Sequence, residues 1–128
     1  YLIASTLLGV VAQRLMRTVC ESCAEEYSPS PSVIRALGIA PDQEVWLRRG
    51  KGCRVCRGTG YKGRTGIFEV MRMTEELREA LTQGASVDSV RKLARSQGLT
   101  TLRDNAREKV LEGSTTPEEM IRVTAVSI

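Results

Sequence analysis

The sequence predicts a mostly α-helical fold with a small β component, and three observations predict it. Apolar residues recur every four positions in the first segment, two Cys-x-x-Cys pairs bracket a stretch poor in large apolar side chains, and marked helix starts follow one another beyond residue 73. A chain of 128 residues can bury one core, and with one Trp and one Phe that core must be aliphatic.

Taken in order, Ile3, Leu7, Val11 and Leu15, joined by Leu8 and Val19, describe an amphipathic helix running to about Arg17 within a first unit spanning 1–19. The apolar run from Tyr1 to Ala12 stops at Gln13 and Arg14, short of the roughly 18 to 20 residues that cross a bilayer. It has no basic leader and no small-residue cleavage site, so a reducing cytosol is the expected setting. The absence of an initial Met in the middle of a helical pattern suggests a longer parent chain.

A second unit, 20–63, opens with Cys20 and Cys23. Ser30-Pro31 reads as an N-cap followed by a first-turn proline, with a short helix to Gly38. Pro41 and Asp42 break helix, and Val45-Trp46-Leu47 favours a short strand around Val45 to Arg48. A third unit, 64–128, begins with the strand-forming run Thr65 to Met71 and continues as helices. One starts at Thr74 and ends at Gly84, one runs from Ser86 to Gly98, and one opens at Thr101 with Asp104. In the last, Thr116, Pro117 and Glu119 combine an N-cap, a first-turn proline and a capping-box glutamate.

Cys20/Cys23 and Cys53/Cys56 are separated by 29 residues, and the chain has no other cysteine and no histidine. A pair spaced by two lets one tight turn aim both sulfurs at a single point, and two such turns supply tetrahedral coordination for zinc. Four protein ligands make that role structural. Two disulfides, a redox-active pair and an iron–sulfur cluster remain the alternatives. Between Val45 and Phe68 there are seven Lys or Arg and no acid. Four thiolates and one divalent ion together shift the formal charge of +4 to +2, which weakens a nucleic-acid reading.

Other motifs are less specific. Gly58-Thr59-Gly60-Tyr61-Lys62-Gly63 matches G-x-G-x-x-G but lacks the preceding strand and following helix of a dinucleotide site. Its glycines are expected to turn backbone N–H groups toward thiolates and release the chain into a strand. Cys53 to Gly60 matches one C-x-x-C-x-G-x-G unit of J-domain chaperones, which carry four in series. Arg48, Arg49, Lys51, Arg54, Arg57, Lys62 and Arg64 form a basic stretch, read as a face balancing thiolate charge or contacting an acidic partner. The sequence contains no phosphate loop, and without histidine no Ser/His/Asp triad.

Several segments together resemble the assembly ATPases of type II secretion and type IV pilus systems. They are Leu2 to Leu7, Gly9 to Leu15, the four cysteines with their spacing, Gly58 to Glu69, Gly98 to Arg103, Lys109 to Gly113 and Thr115 to Glu119. The resemblance implies that 1–19 is a helix from the end of a RecA-like ATPase core, 20–63 a tetracysteine zinc-binding insertion, and 64–128 the returning strand with a helical C-terminal subdomain. It implies a hexamer, ATP and magnesium bound by residues upstream of Tyr1, and no catalytic residue in this stretch. Gln13 and Arg14 are expected near the nucleotide or a subunit boundary. The implied partners are other copies of the chain and the inner-membrane platform and adaptor proteins, with no nucleic acid, at the cytoplasmic face of the inner membrane. The rival expectation is a free-standing zinc-binding adaptor that contacts protein or nucleic acid.

Overall fold

A computed structural model of the chain describes residues 8–124. In chain order the elements are β1 (Gly9–Val19), β2 (Ala24–Tyr27), α1 (Pro31–Ala36), β3 (Leu47–Gly50), β4 (Tyr61–Arg72), α2 (Glu75–Thr82), α3 (Val87–Ser96), α4 (Leu102–Leu111) and α5 (Pro117–Thr124). β1 and β4 form a long antiparallel ribbon, with Gly9 opposite Arg72 and Val19 opposite Tyr61, and β2 pairs antiparallel with β3. Helices outweigh strands, and the β component is larger than the sequence predicts.

The largest departure is β1, where a helix is expected. A repeat of four is a multiple of two as well as close to one helical turn, so the same spacing lines one face of a strand. Val10, Val11, Thr18 and Val19 favour extension, and β4 supplies a partner rich in β-branched and aromatic residues. The face is reversed too. Val11 and Leu15 stand 66% and 52% exposed on the outer side with Phe68 and Val70, while Met16 and Ile67 are fully buried on the inner side. The part of the expected helix before Leu8 lies outside the described residues.

The inner face of the ribbon packs against α4 and α5 through Leu102, Ala106, Val110, Met120 and Val123, and Leu37 and Leu47 of the segment between the ribbon strands close the same core. A second cluster, Met73, Leu77 and Ala94, joins α2 and α3 at the far end of β4. The helix starts follow the sequence closely. Thr74 accepts from the Leu77 amide, Ser86 from that of Ser89, and Thr101 with Asp104 makes a full capping box. Ser30 gives no side-chain cap to α1. β3 begins two residues later than expected and leaves Trp46 exposed, and β2 has no clear signal in Ala24-Glu25-Glu26-Tyr27.

Candidate metal centre

The segment between β1 and β4 leaves the ribbon immediately before Cys20 and returns immediately after Gly60. The two Cys-x-x-Cys turns meet at one end of the small β2–β3 sheet, where Ala24 pairs with Gly50. All four sulfurs lie within 4.8 Å of one another, with Cys20–Cys53, Cys23–Cys56 and Cys53–Cys56 at 3.8 Å. An ion bound at about 2.3 Å by four sulfurs requires tetrahedron edges of about 3.8 Å. A disulfide requires about 2 Å between sulfurs, and all four cysteines are free. A cluster of several irons and sulfides needs a wider cage than one tetrahedron. The donor set therefore fits a single ion that prefers four sulfurs.

Backbone donors already face these sulfurs. The Gly52 amide points at Cys23 Sγ (3.3 Å), and those of Cys53 and Gly60 at Cys56 Sγ (both 3.2 Å). Burial opposes ionisation of Cys56, but these two amides and the neighbouring thiols outweigh it and bring the thiol down to about 6. Burial pushes Cys23 up to about 12, with one amide opposing and three adjacent thiols adding to the rise. Thiols this close cannot all ionise unless a cation sits among them.

Gly60 joins the two turns, since its amide serves Cys56 and its carbonyl accepts from the Cys20 amide (2.9 Å). Its φ of +83° suits glycine, and a methyl group there would lie 2.6 Å from the Gly50 carbonyl oxygen. Of the glycines in the G-x-G-x-x-G match, Gly60 thus does what the sequence predicts, while the Gly58 amide donates to the Cys53 carbonyl and Gly63 lies within β4, which Tyr61 opens. Arg48 pairs with Glu21, and Arg49 and Lys51 with Glu25. Hydrogen bonding and charge from these cations hold both carboxyls below their usual range.

Sequence reasoning missed a polar hub beside the centre. The expected capping-box glutamate, Glu119, is fully buried and faces β1 instead. It accepts from the Arg17 amide (2.7 Å) and from the guanidinium groups of Arg17 and Arg122 at 2.7–3.3 Å. Burial opposes its charge, but these donors outweigh it and hold the carboxyl down to about 2. Arg17 is the last residue paired in register with β4 before the irregularity that leads to Val19. Arg17 also stacks over Tyr61 at 4.2 Å, Tyr61 meets Thr116, Thr115 Oγ1 donates to the Arg17 carbonyl, and the Val19 amide donates to that of Ser114. The loop before α5 is thereby fastened to the strand that leads into the cysteine cluster. The local signal, an acid three residues after a threonine, reads as a cap and does not reveal the burial.

Gln13 and Arg14 do not converge on one point. Adjacent on β1, they face opposite sides of the ribbon. Gln13 is exposed opposite Phe68, and Arg14 donates to the Val123 carbonyl at the end of α5 (3.2 Å).

A family model described as Type II/IV secretion system protein matches residues 1–122. The chain is 43% identical over 124 residues to the type IV pilus assembly ATPase PilB of Thermus thermophilus, covering 95% of the chain and 14% of that relative. It is 40% identical over 124 residues to type II secretion system protein E of Pseudomonas aeruginosa (97% and 24%). It is 37% identical over 127 residues to type II secretion system ATPase E of Vibrio cholerae (99% and 25%). The chain thus spans a quarter or less of the length of each of these relatives.

Proposed function

Because the chain belongs to the Type II/IV secretion system protein family, we propose that it is the C-terminal portion of a hexameric motor ATPase that powers type II secretion or type IV pilus assembly, with a structural zinc site. The observation that carries this reading is the match of 95–99% of the chain to secretion and pilus proteins, two of them named as ATPases.

In this reading the β1–β4 ribbon belongs to a RecA-like core, 20–63 is a zinc-stapled insertion, and the helices after β4 form the C-terminal subdomain. Cys20, Cys23, Cys53 and Cys56 hold the zinc, which supplies a crosslink and offers no open position for water or substrate. Sites of this kind contribute on the order of 10 kcal/mol, as much as the whole stability of a domain this size. Gly60 and Gly52 set the amides that support the thiolates, and Glu119 with Arg17 passes that rigidity to α5.

ATP and magnesium are bound by polypeptide preceding Tyr1, so the 128 residues alone are expected not to hydrolyse ATP. Gln13, on the exposed face of β1, is assigned to a subunit boundary or the edge of the nucleotide site, and Arg14 supports it by anchoring α5. Partners are other copies of the chain and the inner-membrane platform and adaptor proteins, met at the cytoplasmic face. Among the described residues no helix is long and apolar enough to cross a membrane.

The test is magnesium-dependent ATP turnover and sedimentation of the full-length polypeptide, with the 128-residue segment alongside. Turnover by a hexamer of the former and none by the latter is expected. A full-length polypeptide without turnover overturns the motor reading.

A further inference from the structure

The basic stretch of the sequence is two populations in the structure. Arg48, Arg49 and Lys51 are engaged by Glu21 and Glu25. Arg54, Arg57, Lys62 and Arg64 are exposed, and among the described residues no ion pair or side-chain hydrogen bond engages them. Arg54 and Arg57 flank Val55 on the second Cys-x-x-Cys turn, where Val55 stands half exposed. Val55 and Lys62 line an open groove of about 330 Å³ with the buried Val19 and Cys20, and the one acid on its lining, Glu21, is neutralised by Arg48. The metal cage with its ion carries −2, which four cations exceed.

We propose that this turn and groove form a docking site for an acidic protein segment that places one branched apolar side chain against Val55 and Val19, with its carboxylates toward Arg54, Arg57 and Lys62. The proposal rests on the zinc reading above, since the ion fixes the turn that displays Val55. Charge complementarity selects an acidic partner, and the apolar lining selects a protein over a phosphate backbone. Nucleic acid would also need free stacking surfaces. The Tyr61 ring is covered by Arg17 and the Tyr27 ring by Arg49, the exposed Trp46 and Phe68 do not line the groove, and Trp46 is bonded to Glu44, an acid that would repel phosphate.

The experiment uses the full-length polypeptide with its zinc content measured first. The probes are fluorescent Asp/Glu-rich peptides carrying one central Leu, the same peptides with Ser in its place, a single-stranded oligonucleotide and phosphatidylglycerol vesicles. The Leu peptide is expected to bind about tenfold tighter than the Ser peptide, and combined charge reversal at Arg54, Arg57 and Lys62 to weaken it by at least about tenfold with zinc retained. Val55→Ser should erase the preference for Leu while leaving the Ser peptide's affinity unchanged. If the triple variant loses zinc, Val55→Ser and the single Lys62→Glu carry the test, the latter expected to weaken both peptides. Equal peptide binding by wild type and variants, or preferential binding of the oligonucleotide or the vesicles, overturns the docking site while leaving the zinc reading intact. A wild-type protein without zinc removes the zinc reading, and the docking site with it.

Discussion

Glu119→Gln isolates the charge of the buried hub while keeping its volume. Each Glu119 oxygen accepts from at least two donors, so wherever the glutamine NH2 group sits it meets donors it cannot bond. The carboxyl is held at about 2, below its ordinary 4.5, and a shift of that size corresponds to about 3 kcal/mol between the charged and neutral forms. Arg17 and Arg122 side chains are 45% and 58% exposed and can turn to water, and the glutamine oxygen can keep the Arg17 amide, so the loss is chiefly that of the charge. A loss of about 2–3 kcal/mol at pH 7 follows, or roughly 10 °C in Tm.

The pH dependence has a definite sign. A folded-state pKa below the unfolded one gives stability that is complete above about 4.5 and lost as pH falls through about 2. Urea unfolding of wild type and variant in parallel should therefore show a gap that narrows from about 3 kcal/mol at pH 7 to about 1.5 kcal/mol at pH 3. A gap below about 0.5 kcal/mol, within the scatter of surface substitutions, or one that does not change with pH, would refute the assignment of charge to the hub.

Gly60→Ala forces a methyl group toward the Gly50 carbonyl at a φ of +83°, whereas Gly58→Ala, at +79°, meets open space. The first should release metal to a chelator far faster than wild type, and the second should cost only about 1 kcal/mol of backbone strain with normal metal retention. The isolated 128-residue chain should self-associate through Val11, Leu15, Phe68 and Val70, and Val70→Lys should reduce this. Sedimentation velocity showing a clean monomer of the unaltered chain at high concentration would contradict it.

The legibility of the fold follows from the range of each interaction. Helix starts at Thr74, Ser86 and Thr101 depend on a side chain bonding an amide three residues away, so the residues that carry them adjoin in sequence. The clustering of the four cysteines was legible because each Cys-x-x-Cys spacing lets one tight turn aim both sulfurs at a single point. β1 was not, because its state depends on β4, a strand that starts 42 residues after β1 ends, and spacing alone cannot distinguish four from twice two. The two roles of Glu119 show the same limit: its local position signals a cap, and only Arg17, distant by 102 residues, reveals its use. The engaged and free cations of the basic stretch likewise separate only when Glu21 and Glu25 are brought beside β3.

Zinc X-ray absorption, with metal content by mass spectrometry on protein purified without added metal, decides whether the four cysteines hold the fold together. One zinc per chain with four sulfur neighbours at about 2.3 Å, and loss of ellipticity on chelation, is the expected result. Iron in its place, oxygen or nitrogen in the coordination shell, or a metal-free protein with its helical signal intact would contradict it.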